Sequence, residues 1–119
     1  MRYTLLLHNN PADADFEDPT PEQVAEQKAI YGQYIGSLQA AGVFVDTDWL
    51  QPADTAKTIT LKDGDRRVQD GAFAETKEQL GGYFVIEVPD IDAAMAWAEK
   101  CPAAQYGYVE VRASAMGGG

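Results

Sequence analysis

Three short segments of this chain alternate so regularly that each must have two different sides. Residues 2–8 (RYTLLLH), 83–88 (YFVIEV) and 106–113 (YGYVEVRA) read as β-strands, in which successive side chains point to opposite faces. One side collects Tyr3, Leu5 and Leu7, then Phe84, Ile86 and Val88, then Val109 and Val111. It is apolar almost throughout and has to be covered. The other collects Thr4, Leu6 and His8, then Tyr83, Val85 and Glu87, then Tyr108, Glu110 and Arg112. That side is mixed, too greasy to stand bare in water and too polar for a dry core. A slip of one residue would exchange the two sides, so the register is strongly specified.

The intervening segments supply the cover for the apolar side. Thr20-Pro21-Glu22-Gln23 has the form of a helix start: Thr20 at the N-cap, Pro21 at the first helical position, and Gln23 closing a capping box. The helix is expected to reach about Ala41, with Val24, Tyr31, Tyr34, Ile35 and Leu38 on its apolar stripe and Gly42 just past its end. Asp90 opens a second helix to about Cys101, with Ile91, Ala94, Met95 and Ala98 facing inward and Pro102 as the stop. Residues 43–50 (VFVDTDWL) read as a further strand. Residues 58–61 and 66–69 form a hairpin about Asp63-Gly64, a pair suited to positive φ.

Apart from the hairpin, this order is that of the ferredoxin-like α+β fold, a four-stranded antiparallel sheet with both helices on one face. One domain is expected over residues 1–115, and residues 116–119 form a flexible glycine tail with nothing to bury. With both helices on the apolar side, the mixed side lacks cover. A second copy of the sheet is the expected cover, giving an isologous homodimer with a partly polar cleft.

Nine basic residues against nineteen acidic ones give a formal net charge of −10. Such a surface repels phosphate backbones and anionic lipids, so neither nucleic acid nor a membrane is an expected partner. Cys101 is the only cysteine, which excludes an intrachain disulfide. The opening MRYTLLLHNN contains no apolar run long enough for a signal segment or a membrane span, so the expected location is cytoplasmic. Nucleophile–base motifs, phosphate-cradling glycine loops and metal-ligand spacings do not occur in the sequence, and no cofactor or metal is expected.

Residues 70–82 (DGAFAETKEQLGG) are more than a connector needs. Asp70-Gly71 suits a turn, and residues 75–80 suit one helical turn ended by Gly81-Gly82, with Phe73 and Leu80 as apolar anchors. One reading makes the stretch a packed connector; the other makes it a cleft rim with Asp70 or Glu75 facing a ligand. His8, the one histidine, lies on the mixed side at the carboxyl end of the first strand. A general acid or base there needs an orienting carboxylate, for which Asp70 and Glu87 are the candidates. The candidate catalytic pair is therefore His8 and Asp70, and the candidate ligand contacts are Phe73, Glu75, Tyr83, Glu87, Tyr108 and Arg112. Glu110 and Arg112 either pair with each other or hold a carboxylate ligand through the arginine fork.

The stretch DGAFAETKEQLGGYFVIEV, followed by DAAMAWAEKCPAAQYGYVEVR and preceded by LQAAGVFVDTDWLQPADTAKTI, resembles the DGPF branch of the YCII-related domain family over nearly the whole chain. The resemblance implies a dimeric α+β barrel of ferredoxin-like units and a branch without a settled activity. It also implies a possible sigma-factor association, since relatives accompany extracytoplasmic-function sigma factors in bacteria. Better-defined relatives carry a histidine and an aspartate proposed as a catalytic pair. Here the corresponding position on the first helix falls near Tyr31, and Ala72 replaces the branch's proline, restoring backbone freedom after Gly71. Two functions stand as alternatives. One is a homodimeric small-molecule-binding or regulatory module; the other is a cofactor-free enzyme using general acid–base chemistry of an isomerase or lyase type.

Overall fold

The strand alternation decides the layering of the folded chain. A computed structural model describes residues 1–9, 20–51, 55–71 and 79–116. In chain order the elements are β1 (Arg2–Asn9), α1 (Pro21–Ala40), β2 (Phe44–Trp49), β3 (Lys57–Lys62), β4 (Asp65–Asp70), β5 (Gln79–Glu87), α2 (Ile91–Lys100), α3 (Ala103–Tyr106) and β6 (Gly107–Ala113). One antiparallel sheet has the strand order β2-β5-β1-β6, and β3 and β4 form a separate two-stranded sheet. This is the ferredoxin-like arrangement with an inserted hairpin.

Local chemistry fixes the ends of α1. The Thr20 hydroxyl accepts from the Gln23 backbone N–H at 3.2 Å, and the Gln23 side chain accepts from the Thr20 N–H at 2.8 Å, completing the capping box. At the other end Gly42 has φ +74°, and the N–H groups of Gly42 and Val43 donate to the carbonyls of Gln39 and Leu38. Those two bonds are a Schellman motif, which only a residue tolerant of left-handed φ closes without strain. The hairpin turns on Asp63 (φ 53°) and Gly64 (φ 80°), both left-handed, as a two-residue loop requires.

The core lies between the sheet and the helices. Tyr3, Leu5, Leu7, Phe84, Ile86 and Val88 come from the strands, and Tyr34, Leu38, Ala94, Ala98, Cys101 and Ala103 from the covering side. Val109 and Val111 pack against this cluster partly buried, so the expected apolar side is the covered one. Each large side chain buried there contributes about 1.5–3 kcal/mol. Tyr34 ties the layers together: its ring meets Phe84 edge-on at 5.1 Å, and its hydroxyl donates to the Trp97 carbonyl at 2.7 Å.

Three expectations need correction. First, α2 turns Ala93, Ala94, Trp97 and Ala98 inward, while Ile91 and Met95 are exposed. Trp97 has far more area to shelter, and packing it against Tyr34 rotates the helix by one step. Second, a third helix, α3, lies between Pro102 and the last strand, so that strand begins at Gly107.

Third, Gly81 and Gly82 do not end a helical turn; both lie inside β5, which starts at Gln79. Gly82 is buried opposite Leu7 and Trp49, where a Cβ would stand 2.7 Å from the Asp48 carbonyl oxygen. Gly81 is the extra residue of a bulge, since Leu7 faces Gly82 and His8 faces Leu80. Leu80 is accordingly an exposed strand residue. Phe73, Glu75 and Ala72 lie outside the described residues. Among the described residues, no helix is long and apolar enough to cross a membrane.

Candidate functional site

Cross-strand pairing arranges the uncovered side of the sheet into rows. Asp46 lies opposite Val85, Val85 opposite Thr4, and Thr4 opposite Arg112. The next row runs Asp48, Tyr83, Leu6 and Glu110, and the one after it joins Leu80, His8 and Tyr108. The face therefore has a half-buried apolar centre of Leu6, Tyr83 and Val85 between two charged edges. Two carboxylates stand on the β2 edge, and Tyr108, Glu110 and Arg112 line the β6 edge.

At the β6 edge the side chains form a connected group. The His8 ring stacks on Tyr108 with centroids 4.7 Å apart and planes 15° from parallel. His8 Nε2 lies 3.3 Å from Glu110 Oε1, and the other Glu110 oxygen lies 3.8 Å from Arg112 Nε. Glu110 thus stands between an imidazole and a guanidinium. The His8 side chain is only 18% exposed against 46% for Glu110. Nε2 itself is shielded from solvent and makes no aligned hydrogen bond among the described residues, despite the close carboxylate. A shielded ring nitrogen near a carboxylate is chemically unfinished, since burying a polar atom without a hydrogen bond costs about 1–3 kcal/mol.

The other sequence candidates separate. Asp70 is on β4 of the hairpin, where Lys57 Nζ donates to its carboxylate at 2.8 Å. No contact among the described residues joins it to His8. Glu87 is opposite Arg2, at the far end of the face, and takes the Met1 amino group and Arg2 Nε at 3.4 Å each. Six residue steps along β1 separate Arg2 from His8, about 20 Å of strand. The carboxylate beside His8 is Glu110. Strand order carried the signal: in this topology β6 neighbours β1, so the same-face residues of β6 were the place to search. Tyr83, Tyr108 and Arg112 do share the open face. Phe73 and Glu75 lie outside the described residues.

The opposite side of the sheet holds a cluster that the sequence reading missed. The Tyr31 and Tyr106 hydroxyls share a hydrogen bond that links α1 to α3, with Trp49 6.0 Å from the Tyr31 ring. Burial pushes the phenols of Tyr31 and Tyr34 well above their ordinary range. Burial also raises Cys101 and Tyr106, the latter offset in part by its bond to Tyr31. A raised phenol is a neutral hydrogen-bond donor at ordinary pH, not a base. Among the described residues, no three histidine, cysteine or acidic side chains gather as metal ligands would.

The fold and the half-apolar sheet face define a ferredoxin-like α+β protein in which the described residues leave one side of the sheet open. The YCII-related domain model matches residues 1–114, and the chain belongs to that family. It is also similar to an uncharacterized protein of Rhizobium meliloti (strain 1021), 30% identical over 120 aligned positions that cover 98% of this chain and 94% of that protein.

Proposed function

We propose that the protein works as a homodimer, two copies joined sheet to sheet, with a small molecule held in the cleft between them as a binding or regulatory module. The observation that carries this reading is the open face itself. Leu6, Tyr83 and Val85 are half-buried beside exposed Tyr108, and the three helices lie on the other side. Apolar surface of that kind drives association, and a two-fold pair closes it most simply. In such a cleft Tyr83 and Tyr108 offer aromatic surface, and Arg112 offers a fork for a carboxylate. The stretch around Asp70-Gly71 supports placing the chain in the DGPF branch.

A second reading rests on the distance between His8 and Glu110. An imidazole oriented by a carboxylate is the arrangement general acid–base chemistry uses. In that reading His8 moves the proton and Glu110, rather than Asp70, positions the ring.

Sedimentation equilibrium tests the dimer. The unaltered chain is expected to associate, and Leu6→Asp, which puts a charge into the apolar centre, is expected to leave monomers of unchanged helix and strand content. A chain that stays monomeric at high concentration overturns the reading. Thermal shifts across a panel of small carboxylates and neutral metabolites then test the cleft, with His8→Ala and Arg112→Ala as controls.

A further inference from the structure

Among the described residues, the hairpin of β3 and β4 is the part of the fold that the other elements do least to support. Ile59 and Val68 are cross-strand partners, and Leu61 is two residues from Ile59, so all three share one face. They are 59%, 52% and 72% exposed in that order. Thr58, Thr60, Lys62, Asp65, Arg67 and Gln69 occupy the other face, while Arg66 shares the apolar one. A two-stranded hairpin standing alone is marginal in water, so an amphipathic one calls for something to lie against.

Its charge says what that is. Residues 57–70 carry four of the nine basic residues and three of the nineteen acids, net +1, which leaves −11 on the rest of the chain. Lys57 pairs with Asp70 and Arg67 with Asp65 within the hairpin. Lys62, beside the turn, and Arg66, one pair further along, have no ion-pair partner among the described residues. The β2 edge of the open face is their complement. Asp46 and Asp48 accept only the backbone N–H groups of Thr47 and Trp49, and no cation meets them among the described residues.

Geometry rules out the hairpin's own sheet as the target. The molecule measures 46 × 40 × 18 Å, and 18 Å is the depth of one sheet and one helix layer at the usual spacing of about 10 Å. Among the described residues no third layer folds back over the open face, so the hairpin projects sideways. Each arm has six residues, about 20 Å long.

We propose that the hairpin is an exchange arm. In the homodimer, each β3–β4 arm reaches to the other copy and lies along the β2 rim of its open face. Arg66, on the Ile59–Leu61–Val68 side, and the long side chain of Lys62, at the arm's tip, meet Asp46 and Asp48 of the partner as that side closes over the exposed Val45 beside them. The inference rests on the homodimer reading and adds what completes the cleft, since each cleft then has one wall from the other copy. Two-fold symmetry forms the contact twice, so the arrangement closes at two chains.

Charge exchange in the full-length chain tests it. Lys62→Glu with Arg66→Glu, and separately Asp46→Lys with Asp48→Lys, are each expected to raise the dimer dissociation constant about tenfold through like-charge contacts. Combining all four changes is expected to restore it to within about twofold. A chain carrying Lys62→Cys, mixed with one carrying Asp48→Cys, should form a disulfide-linked pair on oxidation. Unchanged dissociation constants in both charge-reversed variants overturn the arm, and so does a double-cysteine chain that bridges within itself at high dilution. If those variants have no effect while Leu6→Asp still splits the dimer, the arm fails and the sheet-to-sheet dimer stands. A chain that is monomeric throughout removes both.

Discussion

His8 and Gly107 meet so closely across β1 and β6 that a Cβ on Gly107 would overlap the His8 carbonyl oxygen and crowd the Asn9 Cα at 3.0 Å. Gly107 has φ −148°, outside the left-handed region, and it is this close approach that leaves no room for a side chain. This approach lets β6 begin directly after α3, with Tyr106 over the helix side and Tyr108 over the His8 ring. One missing side chain therefore sets the geometry of both aromatic groups.

Gly107→Ala should be among the most damaging single-methyl additions in the chain. Neither neighbour can yield, because both are backbone atoms of a paired strand. Overpacking at such a point costs about 3 kcal/mol, which for a domain of this size lowers the melting temperature on the order of 10 °C. The same variant should weaken the His8–Tyr108 stack, seen as a shift of the histidine ring resonances away from their ring-current position.

Glu110→Gln and Asp70→Asn should behave differently, because only the first carboxylate meets His8. Both carboxylates are exposed and pair with an exposed cation, Glu110 with Arg112 and Asp70 with Lys57, so each change should alter stability by less than about 1 kcal/mol. Glu110→Gln is expected to abolish ligand-dependent thermal shifts or turnover that the cleft supports; Asp70→Asn is expected to leave them intact. Equal loss in both variants would put the hairpin carboxylate back in the site.

Periodicity made most of the fold legible, while the site depended on information that periodicity does not contain. Alternation along β1, β5 and β6 separated the covered face from the open one because a buried face tolerates no slip. Thr20, Gly42, Asp63-Gly64 and Asp90 marked their ends and turns because each satisfies a local backbone demand. Partners across strands are another matter. Nothing within ten residues of His8 or Glu110 records that they are neighbours; strand order does. Gly81-Gly82 misled for a related reason. Two glycines read locally as a break, but here they serve tertiary contact, one a bulge and the other a close approach of β2.

Helix α1 should depend measurably on both of its ends. Thr20→Ala removes the hydroxyl half of the capping box and should cost about 1 kcal/mol. Gly42→Ala meets no atom within 4 Å, yet it puts a Cβ on a residue at φ +74° and should cost about 1–2 kcal/mol. Chemical denaturation with an unchanged slope against denaturant would confirm that both act on the native state's stability. A Gly42→Asn variant, whose side chain tolerates that conformation, should recover most of the loss.

Alkaline pH should weaken the fold through the buried phenols and thiol. The unfolded chain releases the Cys101 proton near 9.0 and the tyrosine protons near 10.0, whereas burial raises all of these groups in the folded chain. Below pH 9 both states keep their protons and the contribution is intact. Above it the unfolded state binds fewer protons than the native one, so stability falls with rising pH, by about 1.4 kcal/mol per pH unit for each group fully in its window. Tyr34→Phe separates this effect from packing. Losing the hydroxyl's bond to the Trp97 carbonyl should cost about 1 kcal/mol at neutral pH. Above pH 10 the variant's stability should decline less steeply than that of the unaltered chain, so the two curves converge; curves that stay parallel would show that the Tyr34 phenol ionises alike in both states.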